Sequence, residues 1–150
     1  MNKDDTVIAT DSLLDATQQA KLIALLDSII PPDPVRNLPS AGEMDLVGYV
    51  TNQSPEFIVP LVKMVDYFDD AFVELDSAER HPLVQLFSEQ KPELFAAFIF
   101  LTYACYYQND HVRAGLNLAP GAPFPRGNDI ISGDLSLLDE VLNRPPMYRV

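Results

Sequence analysis

Tyr106, Tyr107, Asp110, His111 and Arg113 cluster where a long apolar run gives way to polar sequence. An imidazole beside a carboxylate is the minimum set for proton transfer, with His111 as the carrier and Asp110 as its orienting partner. The phenols and the guanidinium would add hydrogen bonds to a bound molecule. Spacing argues against a catalytic pair, because adjacent residues on a helix do not face each other. Capping, closure of the core by the tyrosine rings and surface pairing account for the same residues. No complete catalytic constellation occurs anywhere in the sequence.

The remaining reactive groups are scattered. His81 and His111 are the two imidazoles, and neither has a Cys or His neighbour at a metal-binding spacing, so no metal site is expected. Cys105 is the single cysteine, so no intrachain disulfide can form. It lies inside the apolar run with no basic residue within four positions, which predicts a buried, unactivated thiol. Gly121, Gly127 and Gly133 lack the lysine of a phosphate-cradling loop and read as turn residues. Asp33 joins Tyr106, Tyr107, Asp110, His111 and Arg113 as a candidate binding residue, although it and the acidic series Asp66, Asp69, Asp70, Glu74 and Asp76 also read as solvated faces or helix caps.

The elements that hold these residues are helical. Asp15 to Gln18 has the spacing of a capping box, and Leu22, Leu25, Leu26 and Ile29 recur at helical intervals up to Pro31-Pro32. Pro31, Pro32, Pro34 and Pro39 make the next connection stiff. A short helix is predicted over residues 43–50, with Met44, Val47 and Val50 inward. Ser54-Pro55 starts another, with Phe57, Ile58, Leu61, Val62, Val65, Phe68 and Phe72 as its apolar face. Pro60 predicts either a kink or a start nearer Phe57. Asp76 and Glu79 cap a helix carrying Leu83, Val84, Leu86 and Phe87, where Pro82 poses the same question. Pro92 opens the apolar helix, and Asp110 is placed to cap a turn running to Leu116. Residues 119–133 read as a loop, and Asp134 begins a last helix with Leu135, Leu138, Val141 and Leu142.

No segment alternates with period two, so the class is all-α. The expected architecture is a single domain over residues 1–150. It is a bundle of about five to six helices around a central apolar helix, with proline-rich loops and tails at 1–12 and 144–150. A helix apolar on every side should be wrapped by its neighbours, which makes its polar exit the expected meeting place with other molecules.

Composition narrows the partners. Hydrophobic residues make up 47% of the chain, enough for an autonomous core despite a net charge of -12. With 22 acidic against 10 basic residues and no basic cluster, the chain should repel nucleic acid and anionic lipid alike. Glu93 and Asp110 bracket 16 uncharged residues, short of the roughly 20 that a membrane-spanning helix needs. Residues 1–10 show neither a basic-then-apolar pattern nor twin arginines, so a cytoplasmic location is expected.

Four elements in order resemble the gluconate 2-dehydrogenase subunit 3 family, the small subunits of bacterial flavin-dependent sugar and polyol dehydrogenase complexes. They are Leu25-Leu26-Asp27-Ser28-Ile29-Ile30-Pro31-Pro32-Asp33; Ala41-Gly42 followed by Asp45, Leu46 and Val47; Glu74-Leu75-Asp76-Ser77-Ala78-Glu79; and Tyr106-Tyr107 followed by Asp110. The resemblance implies an accessory role in maturation, export or assembly. A large partner subunit would hold FAD and do the chemistry, while this chain would bind no cofactor. The stiff stretches 31–39 and 120–125 are the preferred contact surfaces, since rigid loops lose less entropy on docking. Two other readings stay open. One is a small-molecule binder or enzyme using Tyr107 and His111 in an apolar pocket. The other is a homodimer that buries exposed aromatic helix.

Overall fold

Asp15 starts the first helix through the capping box its spacing predicts. Its carboxylate accepts the Gln18 N–H at 2.8 Å, and the Gln18 side chain accepts the Asp15 N–H at 3.0 Å. A computed structural model of the chain describes residues 13–119, 135–139 and 143. Helix α1 (Ala16–Ile29) buries Leu22, Leu25 and Leu26 and ends before the two prolines. A 3-10 turn (Ala41–Glu43) precedes α2 (Leu46–Gln53). That helix starts later than predicted because Met44 is extended and the Asp45 carboxylate caps the Gly48 N–H.

Proline chemistry sets the next boundaries. Pro55–Phe57 forms a 3-10 turn and α3 runs Ile58–Tyr67, so the start near Phe57 is the observed one. Pro60 then lies in the first turn, where its missing N–H has no intrahelical partner to lose. The helix ends sooner than its apolar pattern suggests. Phe68 becomes the C-cap and Phe72 joins a third 3-10 turn (Asp70–Glu74), yet both are buried. Helix α4 (Ser77–Gln90) opens on the predicted Asp76–Glu79 capping box and continues through Pro82. Val84 and Phe87 are buried, whereas Leu83 and Leu86 face solvent.

Helix α5 (Pro92–Gln108) begins at Pro92 as predicted, and α6 (Asp110–Gly115) follows at once. Of the predicted final helix, residues Leu135–Leu138 form a 3-10 turn. Beyond it the Asn143 N–H donates to the Asp139 carbonyl at 3.0 Å; the remaining residues of that helix lie outside the described ones, as do the two tails and the 120–125 stretch. The fold is compact and all-α. Among the described residues there are six α-helices and no strand, only one antiparallel bridge between Asp33 and Leu38. No helix of the described residues is long and apolar enough to cross a membrane.

The core lies where α1, α3, α4 and α5 meet. Rings form much of it: Phe68 contacts Phe72 and Phe87 at 4.6 and 5.5 Å, and Phe95 joins Phe87 to Phe98 at 6.2 and 6.5 Å. Such tilted and edge-on pairs are the geometries that the ring quadrupole favours. Thr102 sits in this apolar setting, and its hydroxyl oxygen is buried without a hydrogen-bond partner. An unpaired buried hydroxyl is costly, so Thr102→Val should raise stability by about 1 kcal/mol, or roughly 2–4 °C in melting temperature. A thermal melt of the variant checks this; a drop would show that the hydroxyl is satisfied in solution.

Helix α5, expected to be wrapped on every side, is covered on one side only. It buries Phe98, Leu101, Thr102 and Tyr106, while Phe100, Tyr103 and Tyr107 are 71%, 45% and 47% exposed. Positions 96, 100, 103 and 107 alternate in steps of four and three, which lines them up as one stripe along the helix. Uniform apolarity therefore hides two faces with different roles: one packs on α2, α3, α4 and α6, and the other is open.

Candidate functional site

The loop after α1 is folded back into a tight clasp. Asp33 and Leu38 exchange backbone hydrogen bonds at 3.0 and 2.9 Å, and Asn37 takes a left-handed conformation with φ 53° to close the turn. Asparagine tolerates that region better than most residues. Asp33 holds the turn from inside. One carboxylate oxygen accepts the N–H groups of Val35 and Arg36 at 3.0 and 3.2 Å, and the other accepts the Arg36 guanidinium at 2.7 Å. The guanidinium beside Asp33 lowers its carboxyl pKa below the ordinary value. Val35, 94% exposed, stands at the tip.

The polar exit of α5 fastens this clasp to the body. The Tyr106 hydroxyl donates to the Pro39 carbonyl at 2.8 Å, and the His111 ring nitrogen Nε2 lies 3.0 Å from the Asn37 carbonyl oxygen. A carbonyl only accepts, so this contact calls for a proton on Nε2. Burial pushes the Tyr106 phenol above its usual pKa. Helix α6 comes so close that a Cβ at Gly115 would lie 2.5 Å from Leu38 Cδ2 and 3.3 Å from the Arg36 carbonyl oxygen. Glycine is what lets helix and clasp touch.

Asp33, Tyr106 and His111 are brought together around the clasp, as anchors rather than as a reactive set. Arg113 turns away and donates through Nε and an Nη to the Ala119 carbonyl at 3.0 and 2.8 Å. Tyr107 points outward and stacks edge-on with Tyr103 and Tyr106, at 6.0 and 5.2 Å. The cap of α6 is Asn109, not Asp110: its side-chain oxygen accepts the N–H groups of His111 and Val112, and Asp110 is the first helical residue. The His111 ring is thus directed to the clasp. A depression of about 200 Å³ remains between His111, Glu43 and the prolines of the clasp. That is smaller than the roughly 300–1,000 Å³ typical of ligand pockets.

Cys105 is half-buried, and burial raises its thiol pKa, the opposite of activation. Among the described residues no group of three or more His, Cys, Asp or Glu side chains could hold a metal ion.

Two further side chains organise the molecule and were not singled out from sequence. Lys21 is buried, and its ammonium donates to the Phe68 carbonyl at 3.1 Å and pairs with Asp70 at 3.0 Å. Its place, one turn before Leu25 on the inward stripe of α1, was the available signal. Arg80 donates to the carbonyls of Phe72 and Val73 at 3.2 and 2.6 Å and lies over the Phe72 ring. Together these cations tie the 3-10 turn after α3 to α1 and α4.

The feature best suited to meeting another molecule is therefore the open face of α5, flanked by the clasp that the helix exit secures. Comparison with known proteins finds no matching family model, no matching curated protein and no matching solved structure.

Proposed function

We propose that this chain is a non-catalytic accessory subunit that binds and stabilises a flavin-dependent dehydrogenase of the sugar or polyol type. The carrying observation is the open stripe Phe100, Tyr103 and Tyr107 on a helix with no charged residue between Glu93 and Asp110. Exposed aromatic surface costs solubility in an isolated protein, and aromatic residues dominate the centres of protein interfaces. In a chain of net charge -12, an uncharged face can approach another protein without like-charge repulsion. The ordered resemblance to the gluconate 2-dehydrogenase subunit 3 family supports the choice of partner. The use of Tyr106, His111 and Asp33 to fasten the chain's own backbone supports the non-catalytic role.

The test is recovery of the tagged chain from its native host at native expression. The wild-type chain should bring down a large companion with flavin absorbance. Phe100→Asp should lose that companion while keeping its helical circular dichroism, because Phe100 is not part of the core. Recovery of the chain alone, or an undiminished flavoprotein with Phe100→Asp, would contradict the proposal.

A further inference from the structure

A second surface lies on another part of the molecule. Leu83 and Leu86 are exposed on α4, and with Tyr67, Phe72 and Leu75 they line an apolar groove of about 360 Å³ edged by Asp69. Residues 66–79 carry Asp66, Asp69, Asp70, Glu74, Asp76 and Glu79, all exposed, and no Lys or Arg. Four cations stand near by: Lys21, paired with Asp70; Arg80, turned onto the Phe72 and Val73 carbonyls; Lys63, one helical turn before Tyr67; and Lys91, next to the Gln90 side chain that accepts the Tyr67 hydroxyl at 2.9 Å. Negative charge is in excess. Asp66 accepts from the neutral Gln18 amide, while Asp69, Asp76 and Glu79 bond only uncharged groups in their caps. Glu79, Leu83, Leu86 and Gln90 fall on one stripe of α4, so acid and leucine share a face.

We infer that this groove docks a basic amphipathic segment of a partner protein, with the segment's apolar side chains against Leu83, Leu86 and Tyr67 and its Lys or Arg groups at the acidic rim. An apolar floor with a rim of one sign selects a ligand with the same two-part pattern and opposite charge. This surface is separate from the open face of α5, and its occupancy does not depend on a flavoprotein.

The probe is a fluorescently labelled 15-residue amphipathic peptide of Leu and Lys, titrated with the full chain by anisotropy. A peptide with Glu in place of Lys is the comparison. The Leu/Lys peptide should bind saturably, and added salt should weaken it. Leu83→Asn with Leu86→Asn should weaken binding by about tenfold or more. Asp69→Asn with Glu79→Gln, which keeps both caps able to accept hydrogen bonds, should weaken it by roughly two- to tenfold. Phe100→Asp should not weaken it. No saturable binding, equal binding of the Glu peptide, or affinity untouched by both groove variants would overturn the inference. So would dimerisation of the chain abolished by the leucine changes, since a second copy would then be the occupant.

Discussion

Phe98→Ala should leave little folded protein, whereas Phe100→Ala, two positions along the same helix, should melt almost like the wild type. The residues are chemically identical and differ only in direction. At 3.6 residues per turn they point about 200° apart. Phe98 is fully buried among the core rings, next to Phe95, and Phe100 is mostly in water. Truncating a buried Phe costs about 3–5 kcal/mol, through lost transfer energy and the cavity left behind. Against a total stability of about 5–15 kcal/mol for a typical domain, that removes much or all of the margin. At Phe100 no cavity forms, and the change should stay within about 0.5 kcal/mol. Urea denaturation of both variants checks the contrast. Equal destabilisation would mean that the outer face of α5 is packed in solution.

Lys21→Met should be the next most damaging change, by about 1–3 kcal/mol, although methionine preserves the aliphatic stem. The side chain of Lys21 is 7% exposed and that of Asp70 is 78% exposed, so the ion pair opens onto water. Solvent screening keeps such a pair weak. The larger effect comes from the Phe68 carbonyl at the C-cap of α3, which accepts the buried ammonium and would lose its donor. Asp70→Asn should therefore cost much less, about 0–1 kcal/mol. Thermal melts of the two variants separate the contributions; equal losses would assign the stability to the ion pair instead.

Much of this architecture was legible because it is local. Asp15 with Gln18, Asp76 with Glu79, and Pro92 at a first helical position are short-range signals whose chemistry does not depend on the rest of the fold. The misread boundaries have local competitors. Asn109 and Asp110 can each cap a helix, and the chain uses the first; Phe68 and Phe72 continue the apolar period of α3 past its actual end. The fate of α5 was not legible, since apolarity says that a face avoids water without saying what covers it.

The candidate site was read in part for the same reason. Sequence proximity drew attention to Tyr106 and His111, but their partners are the carbonyls of Pro39 and Asn37, more than sixty residues away. Backbone acceptors carry no side-chain signature. Lys21 was missed because a lysine ordinarily reads as surface, and here its stem is buried while its head finds a carbonyl.

If a partner docks on the outer face of α5, that face is open in the free chain and covered in the complex. Hydroxyl-radical footprinting, read by mass spectrometry at single residues, tests this directly in the isolated chain and in the complex recovered from the native host. Phe100, Tyr103 and Tyr107 should label readily in the free chain and become protected in the complex, with Phe98 unlabelled in both. Phe100 labelling that is unchanged by the partner, or already suppressed in the isolated monomer, would contradict the account.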